Sequence, residues 1–479
     1  MSLNLNQIEI DKETVGFFRF KKLNDFYLLT NDVDFIKLTE AEFKDFLEGN
    51  LDKNGNVFKE LSEKGFIKNF KKLGEMATGY ANKNSFLLRR GVSLHIIVVT
   101  KRCNQLCVYC QAGSPELQKD IYDMTEETAK KTVDLIFQSP ATNITIEFQG
   151  GEPLINWKVI KFIIKYSKEK NKFFNKKISF ALVTNLSLMT EEIYDYLIME
   201  GVHICTSLDG PEHVHNKNRP FSNVKGSHKI VTDWVKVMKE REENEKLKNK
   251  IAALPTLTRY SIDYIEEVID EYIRCDLGMI HLRQLSYLGD SAGEKKKKEI
   301  GYTAEEFISA WKRGMDHIIQ KNKEGVNISE RGAIIMLEKI FLKRGNSFLD
   351  LRSPCGAGIG QLAYFYDGRV YSCDEGRMTG DDLFLLGNVN DNNYDEIVTG
   401  EKTKTLVTAS TLDNFSCDQC VYKPYCGTCP VLNYVLYKNI FPNIRMTDKC
   451  KIHAAMLDYL FLKIEDEEIL KIFKKWIRV

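Results

Sequence analysis

The run "SLHIIVVT" at residues 93–100 leads directly into "KRCNQLCVYCQAG" at residues 101–113. The first part is a short apolar segment rich in β-branched residues, the pattern of a buried strand. The second part places Cys103, Cys107 and Cys110 at the end of that strand. Three thiolates bind zinc only with a fourth ligand, and no histidine lies in the loop. A [4Fe–4S] cluster takes one thiolate per iron for full ligation. Three thiolates leave one iron open to hold a substrate or cofactor directly. The loop therefore points to chemistry rather than to electron storage.

The rest of the chain is ordinary in composition. Its 479 residues carry 68 Lys and Arg against 67 Asp and Glu, a net charge of +1, and 43% are hydrophobic. That length suggests about three domains, and the charge balance argues against nucleic acid as a partner. The N-terminal "MSLNLNQIEI" lacks the apolar centre of a signal peptide. No apolar run approaches the ~20 residues of a membrane span. A cytoplasmic protein with no membrane partner is expected. Of twelve cysteines only Cys205 and Cys275 stand alone, and they read as core thiols. The other ten fall into 103/107/110 and 355/373/417/420/426/429/450. In a reducing compartment such sets favour metal or cluster ligation over disulfides.

Four regions are expected. Residues 1–85 read as short strands "FYLLTN" and "DFIKLT" followed by helices, one capped by Thr39 and closed by Gly49, and suggest a winged-helix shape. Residues 90–325 alternate six strand candidates with six helix candidates, near 124–137, 154–170, 190–200, 228–246, 261–274 and 303–322. Such βα units imply parallel strands with right-handed crossovers and chemistry at the C-terminal strand ends. Residues 345–463 hold the hairpin "QLAYFYDGRVYSC", turning at Asp367–Gly368, and the cysteine-dense "CDQCVYKPYCGTC". Residues 464–479 end the chain as helix. The short basic "GEKKKKEIG" reads as a solvated loop.

Polar motifs sit at the barrel strand ends. "FQGGEP" after the second strand contains Gln149, Gly150, Gly151 and Glu152. Glycines let backbone approach a ligand closely, and Glu152 can accept from an ammonium. "LVTNLSL" ends the third strand with Asn185, a polar contact or a helix cap. "CTSLDGPEHVHNKNRP" ends the fourth with Ser207 and Arg219, its Asp209–Gly210 reading as a turn.

These motifs resemble the radical S-adenosylmethionine superfamily, whose CxxxCxxC loop follows the first strand of a partial (β/α)6 barrel. The resemblance implies an α/β, TIM-like fold and two cofactors, a [4Fe–4S] cluster and S-adenosyl-L-methionine. It implies an enzyme whose open iron chelates the amino and carboxyl groups of S-adenosylmethionine. One electron from the cluster then splits the sulfonium to a 5′-deoxyadenosyl radical, which takes hydrogen from an unactivated carbon. Tyr109 matches the aromatic residue before the last cysteine and is expected beside adenine. Glu152 is expected at the ammonium, with Gln149 reaching the same ligand. Ser207 is expected at the ribose, and Arg219 at the carboxylate, which suits a guanidinium fork. The electron is expected from a flavodoxin or ferredoxin.

The C-terminal cysteines resemble the SPASM extension with its two auxiliary [4Fe–4S] clusters, making three in all. Carried over, Cys417, Cys420, Cys426 and Cys450 hold the outer cluster, and Cys355, Cys373 and Cys429 the inner one. "CGTC" has two residues in its gap where the family usually has three. The inner set also lacks a fourth cysteine. Sulfatase maturases have one where this chain has Leu349; Asp350 is a non-cysteine candidate, and an open iron is the other reading. Asp374, directly after Cys373, matches the family's base for the oxidised substrate radical.

The extension points to a peptide or small protein substrate, with the N-terminal unit capturing its leader by strand addition. "FYLLTN…FIKLTEAEF" together with the cysteine loop resembles the maturases of His-Xaa-Ser systems. Cross-linking, oxidation and epimerisation all fit, and Cys205 or Cys275 is a candidate hydrogen-atom donor for the last. Three alternatives stand beside this reading. They are a formylglycine-making sulfatase maturase, an iron–sulfur electron carrier, and a zinc-ribbon nucleic-acid binder using Cys417/Cys420 and Cys426/Cys429.

Overall fold

The structure, a computed structural model, describes residues 8–68, 74, 91–113, 120–221, 226–247, 250–343, 351–413 and 415–479. Most of the expected linker at 76–91, and Leu349 and Asp350, lie outside them.

The N-terminal unit is a three-stranded antiparallel sheet in the order β1 (Arg19–Leu23), β2 (Phe26–Thr30), β3 (Phe35–Thr39). Two helices follow it, Glu40–Glu48 and Asn56–Glu63. The two expected strands are β2 and β3. β1 was not foreseen, because "RFKKL" is polar at its centre and its outer residues alone are buried. Thr39 and Glu42 form a reciprocal capping box at the first helix. Phe43, Phe46, Leu61 and Phe66 give the unit its own apolar centre. It docks on the C-terminal region: Lys21 pairs with Asp458 at 2.6 Å, Thr30 donates to the Val421 carbonyl at 2.8 Å, and Phe35 meets Phe461 edge-on.

The central sheet has eight strands. Five are parallel neighbours in chain order: β4 (Leu94–Thr100), β5 (Asn143–Gly150), β6 (Lys177–Val183), β7 (Val202–Ser207) and β8 (Ala252–Leu254). Helices Glu126–Ile136, Trp157–Phe174, Glu191–Glu200 and Ser227–Asn244 make the four crossovers. The sixth strand candidate shortens to β9 (Met279–Ile280), which pairs with β10 (Ser329–Glu330) instead of extending the eight-stranded sheet. On the other side of β4 the expected hairpin joins the sheet. β11 (Gln361–Tyr364) lies parallel to β4, and β12 (Arg369–Tyr371) and β13 (Leu385–Asn388) continue antiparallel. Gly368, at φ 91°, makes the turn.

Burial separates the strands by role. Every residue of β4 is buried, since it has strands on both sides and cover on both faces. β5, β6 and β7 alternate. Ile144, Ile146, Phe148, Phe180, Leu182, Val202 and Ile204 pack with the helices. Glu147, Gln149, Cys205 and Ser207 face the other way and are half-buried. The expected continuous apolar strands are thus found only at β4, and the polar inner face of its neighbours lines the site. At the β4–β11 seam His95 is fully buried, with its ring nitrogens 3.0 Å from the Tyr364 hydroxyl and 3.2 Å from the Val92 carbonyl.

Two further differences are local. The lysine-rich segment at 294–300 is a helix, Glu294–Ile300, whose i,i+3 pairs Lys296–Glu299 and Lys297–Glu294 offset the like charges. The tail forms two helices, Asp448–Lys463 and Glu467–Trp476, with Asp466 capping the second. Among the described residues no helix is long and apolar enough to cross a membrane.

Candidate active site

The cysteine loop leaves the C-terminal end of β4 and is held from two sides. On the β5 side, Gly151 N donates to the Thr100 carbonyl at 3.0 Å and Glu152 N to the Arg102 carbonyl at 2.8 Å. A Cβ on Gly150 would sit 2.4 Å from the Thr100 oxygen, and one on Gly151 only 2.2 Å from the Arg102 oxygen. The two glycines are therefore required by the loop's own backbone, a nearer partner than the ligand expected from sequence. On the other side, Leu106 N and Val108 N donate to the Pro220 and Asn218 carbonyls, both at 2.9 Å.

Glu152 is buried and already engaged. One oxygen accepts from Leu154 N at 3.0 Å and Thr184 Oγ1 at 2.7 Å, and the other from Asn185 N at 2.8 Å. It ties the ends of β5 and β6 and caps the turn Pro153–Asn156. Burial pushes its carboxyl up, and the three donors pull it back down. Asn185 reaches the loop directly, Nδ2 donating to Asn104 Oδ1 at 2.9 Å, while its own Oδ1 accepts from Ser187 N. Asn185 is not the helix cap, since Thr190 caps the helix Glu191–Glu200; its side chain holds the cysteine loop and its own turn instead.

Asp209 is the residue the sequence reading undervalued. It is fully buried and does more than turn the chain. Oδ1 accepts from Thr256 N at 2.9 Å, and Oδ2 accepts from the Tyr109 hydroxyl at 2.7 Å. Arg219 Nη1 donates to that same hydroxyl at 2.5 Å, and Nη2 to Gln105 Oε1 at 3.0 Å. Tyr109 is thus turned to Asp209 and Arg219 and links the cysteine loop to the end of β7. Arg219 Nε and Gln105 Nε2 are sealed from solvent without an acceptor among the described residues. Two orphaned donors beside Cys107 suit a carboxylate, as the methionine end of S-adenosylmethionine would supply.

The three thiols of the loop are electrostatic neighbours of one another. Burial pushes Cys103 up to about 12 and Cys107 up to about 11, so as bare thiols they hold their protons and iron must displace them. Ser207 ends β7 half-buried, with no side-chain hydrogen bond among the described residues.

The hairpin end faces this loop. A cavity of about 160 Å³ is lined by Gln111 at the end of the cysteine loop, by Thr256 and Ser286, and by Asp374 and Glu375. Asp374 opens the helix Asp374–Thr379 and accepts from Arg377 Nε at 2.8 Å. Arg377 Nη2 reaches Gln149 Oε1 at 3.3 Å, and Gln149 donates to Glu147 at 2.6 Å. Gln149 is therefore joined to the hairpin helix as well as to its own strand. Burial raises the Asp374 carboxyl, and Arg377 partly offsets this.

Cys355, Cys373 and Cys429 line one further cavity, with Glu375, Arg283 and Lys449. Cys373 and Cys429 stand at the N-caps of the helices Asp374–Thr379 and Pro430–Tyr437. Cys450 lies in the first turn of Asp448–Lys463 and feels Cys420, as does Cys426. Cys417 is buried one turn before Cys420, whose N–H it accepts at 3.0 Å. Cys355, Cys373 and Cys429 thus share a cavity, Cys420, Cys426 and Cys450 are electrostatic neighbours, and Cys417 is tied to Cys420 through its backbone carbonyl. Among the described residues no three His, Cys, Asp or Glu side chains close on a single point as one ion requires. A four-iron cube takes its ligands at separated corners, and sets of neighbouring buried and half-buried thiols fit it.

Known proteins agree with this architecture. Residues 97–272 match the radical SAM superfamily, and residues 355–430 match the SPASM iron–sulfur cluster-binding domain. The chain is 27% identical over 265 residues to the radical SAM cyclopropyl synthase TigE of Paramaledivibacter caminithermalis, covering 52% of this chain and 54% of that protein. It thus spans about half the length of that relative. It is 24% identical over 342 residues to a cysteine-type anaerobic sulfatase-maturating enzyme of Clostridium perfringens, covering 71% of this chain and 88% of that protein. Among solved structures, anSMEcpe with bound AdoMet superposes with a TM-score of 0.67 at 21% identity, over 80% of this chain and 99% of that one. Streptococcus suis SuiB bound to precursor peptide SuiA superposes with a TM-score of 0.53 at 14% identity, over 90% and 97%. Those two likenesses speak for the fold. With the cysteine loop at β4, the strand-end motifs and both domain matches in place, the chain carries a radical SAM domain over residues 97–272 and a SPASM iron–sulfur cluster-binding domain over residues 355–430.

Proposed function

We propose that this chain is a peptide or protein maturase that abstracts hydrogen from a ribosomally made substrate held between the barrel mouth and the SPASM region. The observation that carries the reading is the shared cavity, which has Gln111 of the cysteine loop on one wall and Asp374 and Glu375 on the other. When bound, the loop cluster and S-adenosylmethionine supply the 5′-deoxyadenosyl radical. Cys103, Cys107 and Cys110 hold that cluster, and Arg219 with Gln105 receives the carboxylate on their free donors. Glu152, Gly150 and Gly151 keep the loop in register on β5 and β6. Ser207 offers its hydroxyl on the same inner face. Asp374, at the wall of the shared cavity and held by Arg377, is the base that takes the substrate's proton. Cys355, Cys373 and Cys429, and Cys417, Cys420, Cys426 and Cys450, hold two further clusters, three in all. A flavodoxin or ferredoxin supplies the electron.

The N-terminal unit is read as the leader-binding element. β1 and β3 are both edge strands, and Phe17 and Phe20 are exposed at β1. An edge that no described strand pairs, with exposed aromatics, suits strand addition by an extended peptide. The radical SAM cyclopropyl synthase TigE and SuiB, solved with its precursor peptide, support the peptide reading, and the sulfatase-maturating enzymes keep formylglycine formation as the second reading. The His-Xaa-Ser systems remain the narrower substrate proposal.

The test is anaerobic reconstitution with iron and sulfide, reduction, and mass spectrometry of candidate precursor peptides with S-adenosylmethionine. Loss of two hydrogens identifies a cross-link. Deuterium uptake without mass gain in ordinary water identifies epimerisation. Failure of the reduced protein to cleave S-adenosylmethionine favours the electron-carrier reading.

A further inference from the structure

The set Cys355, Cys373 and Cys429 is one ligand short in sequence, and the structure brings a fourth donor to it. Glu375 lines the same cavity as the three thiols. Its Oε1 accepts from Arg283 Nη2 at 2.9 Å. Its Oε2 is sealed from solvent and has no hydrogen-bond partner among the described residues. A carboxylate oxygen stripped of water and left without a donor is costly. Held beside three thiols, it is a site built for a cation.

Local backbone explains the placement. Cys373 caps the helix Asp374–Thr379, its sulfur accepting from Gly376 N at 3.2 Å. The next two residues then leave the first turn in different directions. Asp374 turns to Arg377 and to the mouth cavity. Glu375 and Arg283 line both the mouth cavity and the three-thiol cavity, and so form the wall between them. Lys449 lines the thiol cavity as well and adds positive charge to it.

We propose that Glu375 is the fourth protein ligand of the inner auxiliary cluster, its Oε2 taking the iron that Cys355, Cys373 and Cys429 leave open. The proposal rests on the cluster reading given under Proposed function. A carboxylate is a harder donor than thiolate and marks one iron as different from the other three. Arg283 holds the second oxygen, so the ligand is anchored from the substrate side. With Glu375 in place the inner cluster is closed to substrate ligation.

The experiment removes the loop cluster by replacing Cys103, Cys107 and Cys110 with alanine, leaving the auxiliary clusters alone. The full chain is reconstituted anaerobically, reduced, and examined by EPR with and without cyanide as an external ligand. Iron content is expected at about eight per chain. With Glu375 present, cyanide leaves the spectrum unchanged; in Glu375→Gln and Glu375→Ala it binds and shifts the g values. Glu375→Cys, which keeps a ligand, retains the iron and lowers the midpoint potential of one cluster only. A parent spectrum that shifts with cyanide, Gln and Ala spectra that do not, or an unmoved potential in Glu375→Cys overturns the ligand assignment. Iron near four per chain or below overturns the cluster reading itself, and the assignment with it.

Discussion

The Tyr109 hydroxyl donates to Asp209 Oδ2 across 2.7 Å, joining the cysteine loop to the end of β7. Arg219 completes the group from the far end of the helix Glu212–Asn218. All three side chains are buried, so the charge on Arg219 is balanced locally or not at all. Asp209→Asn removes that balance and is expected to destabilise the chain by roughly 3–5 kcal/mol. Tyr109→Phe removes one hydroxyl and is expected to cost about 1–3 kcal/mol. Thermal unfolding of the anaerobic protein measures both. Equal midpoints for the two variants would remove the ion-pair account.

Gly151→Ala places a methyl group where only 2.2 Å separates it from the Arg102 carbonyl oxygen. The strand–loop clamp has to open, and Cys103 moves with it. Iron is expected to fall from about twelve to about eight per chain, with the auxiliary signals kept. A variant with full iron would show that the clamp is dispensable.

Asp374→Asn keeps the size of the side chain and removes its basicity. Modified peptide is expected to fall by roughly 10²–10⁴-fold, while 5′-deoxyadenosine is still formed. Chromatography of the nucleoside beside mass spectrometry of the peptide separates the two. Parallel loss of both would place Asp374 in binding instead.

His95 gives a pH dependence of defined sign. Burial pushes its imidazole from 6.5 down to about 3. Below pH 6.5 the unfolded chain takes up a proton that the folded chain refuses, so stability falls as pH falls. Between pH 7.5 and 5.5 the loss is about 1.4 kcal/mol from this group. His95→Gln is expected to flatten the slope while weakening the β4–β11 seam. Denaturant titrations of the two proteins across that range compare the slopes; identical slopes would remove His95 as their source.

If the leader adds as a strand to β1, a proline at Phe20 or Lys21 weakens capture, since alternate N–H groups face outward. Leader affinity by fluorescence anisotropy is expected to drop about tenfold or more for one of the two and little for the other. Equal affinities would move the leader elsewhere.

Several features were legible in the chain itself. The cysteine loop needed only spacing and a preceding apolar run. The helices of the barrel followed from their alternation with strands, and the first helix of the N-terminal unit from its caps Thr39 and Gly49. The hairpin followed from Asp367–Gly368. These are local signals, carried by residues close together in sequence.

What lay beyond sequence is long-range. Asp209 looks like half of a turn until Tyr109, one hundred positions earlier, is found on its oxygen. Nothing local marks β11 as the strand that pairs with β4, because any apolar run would suit an edge. Gly150 and Gly151 are recognisable as a motif, but their need comes from the Thr100 and Arg102 carbonyls across the sheet. Glu375 shows the division most clearly. By itself the sequence determined that the inner cysteine set is one thiol short. Only tertiary structure decided which carboxylate faces that set, because the direction of a side chain from a helix's first turn depends on the packing around it.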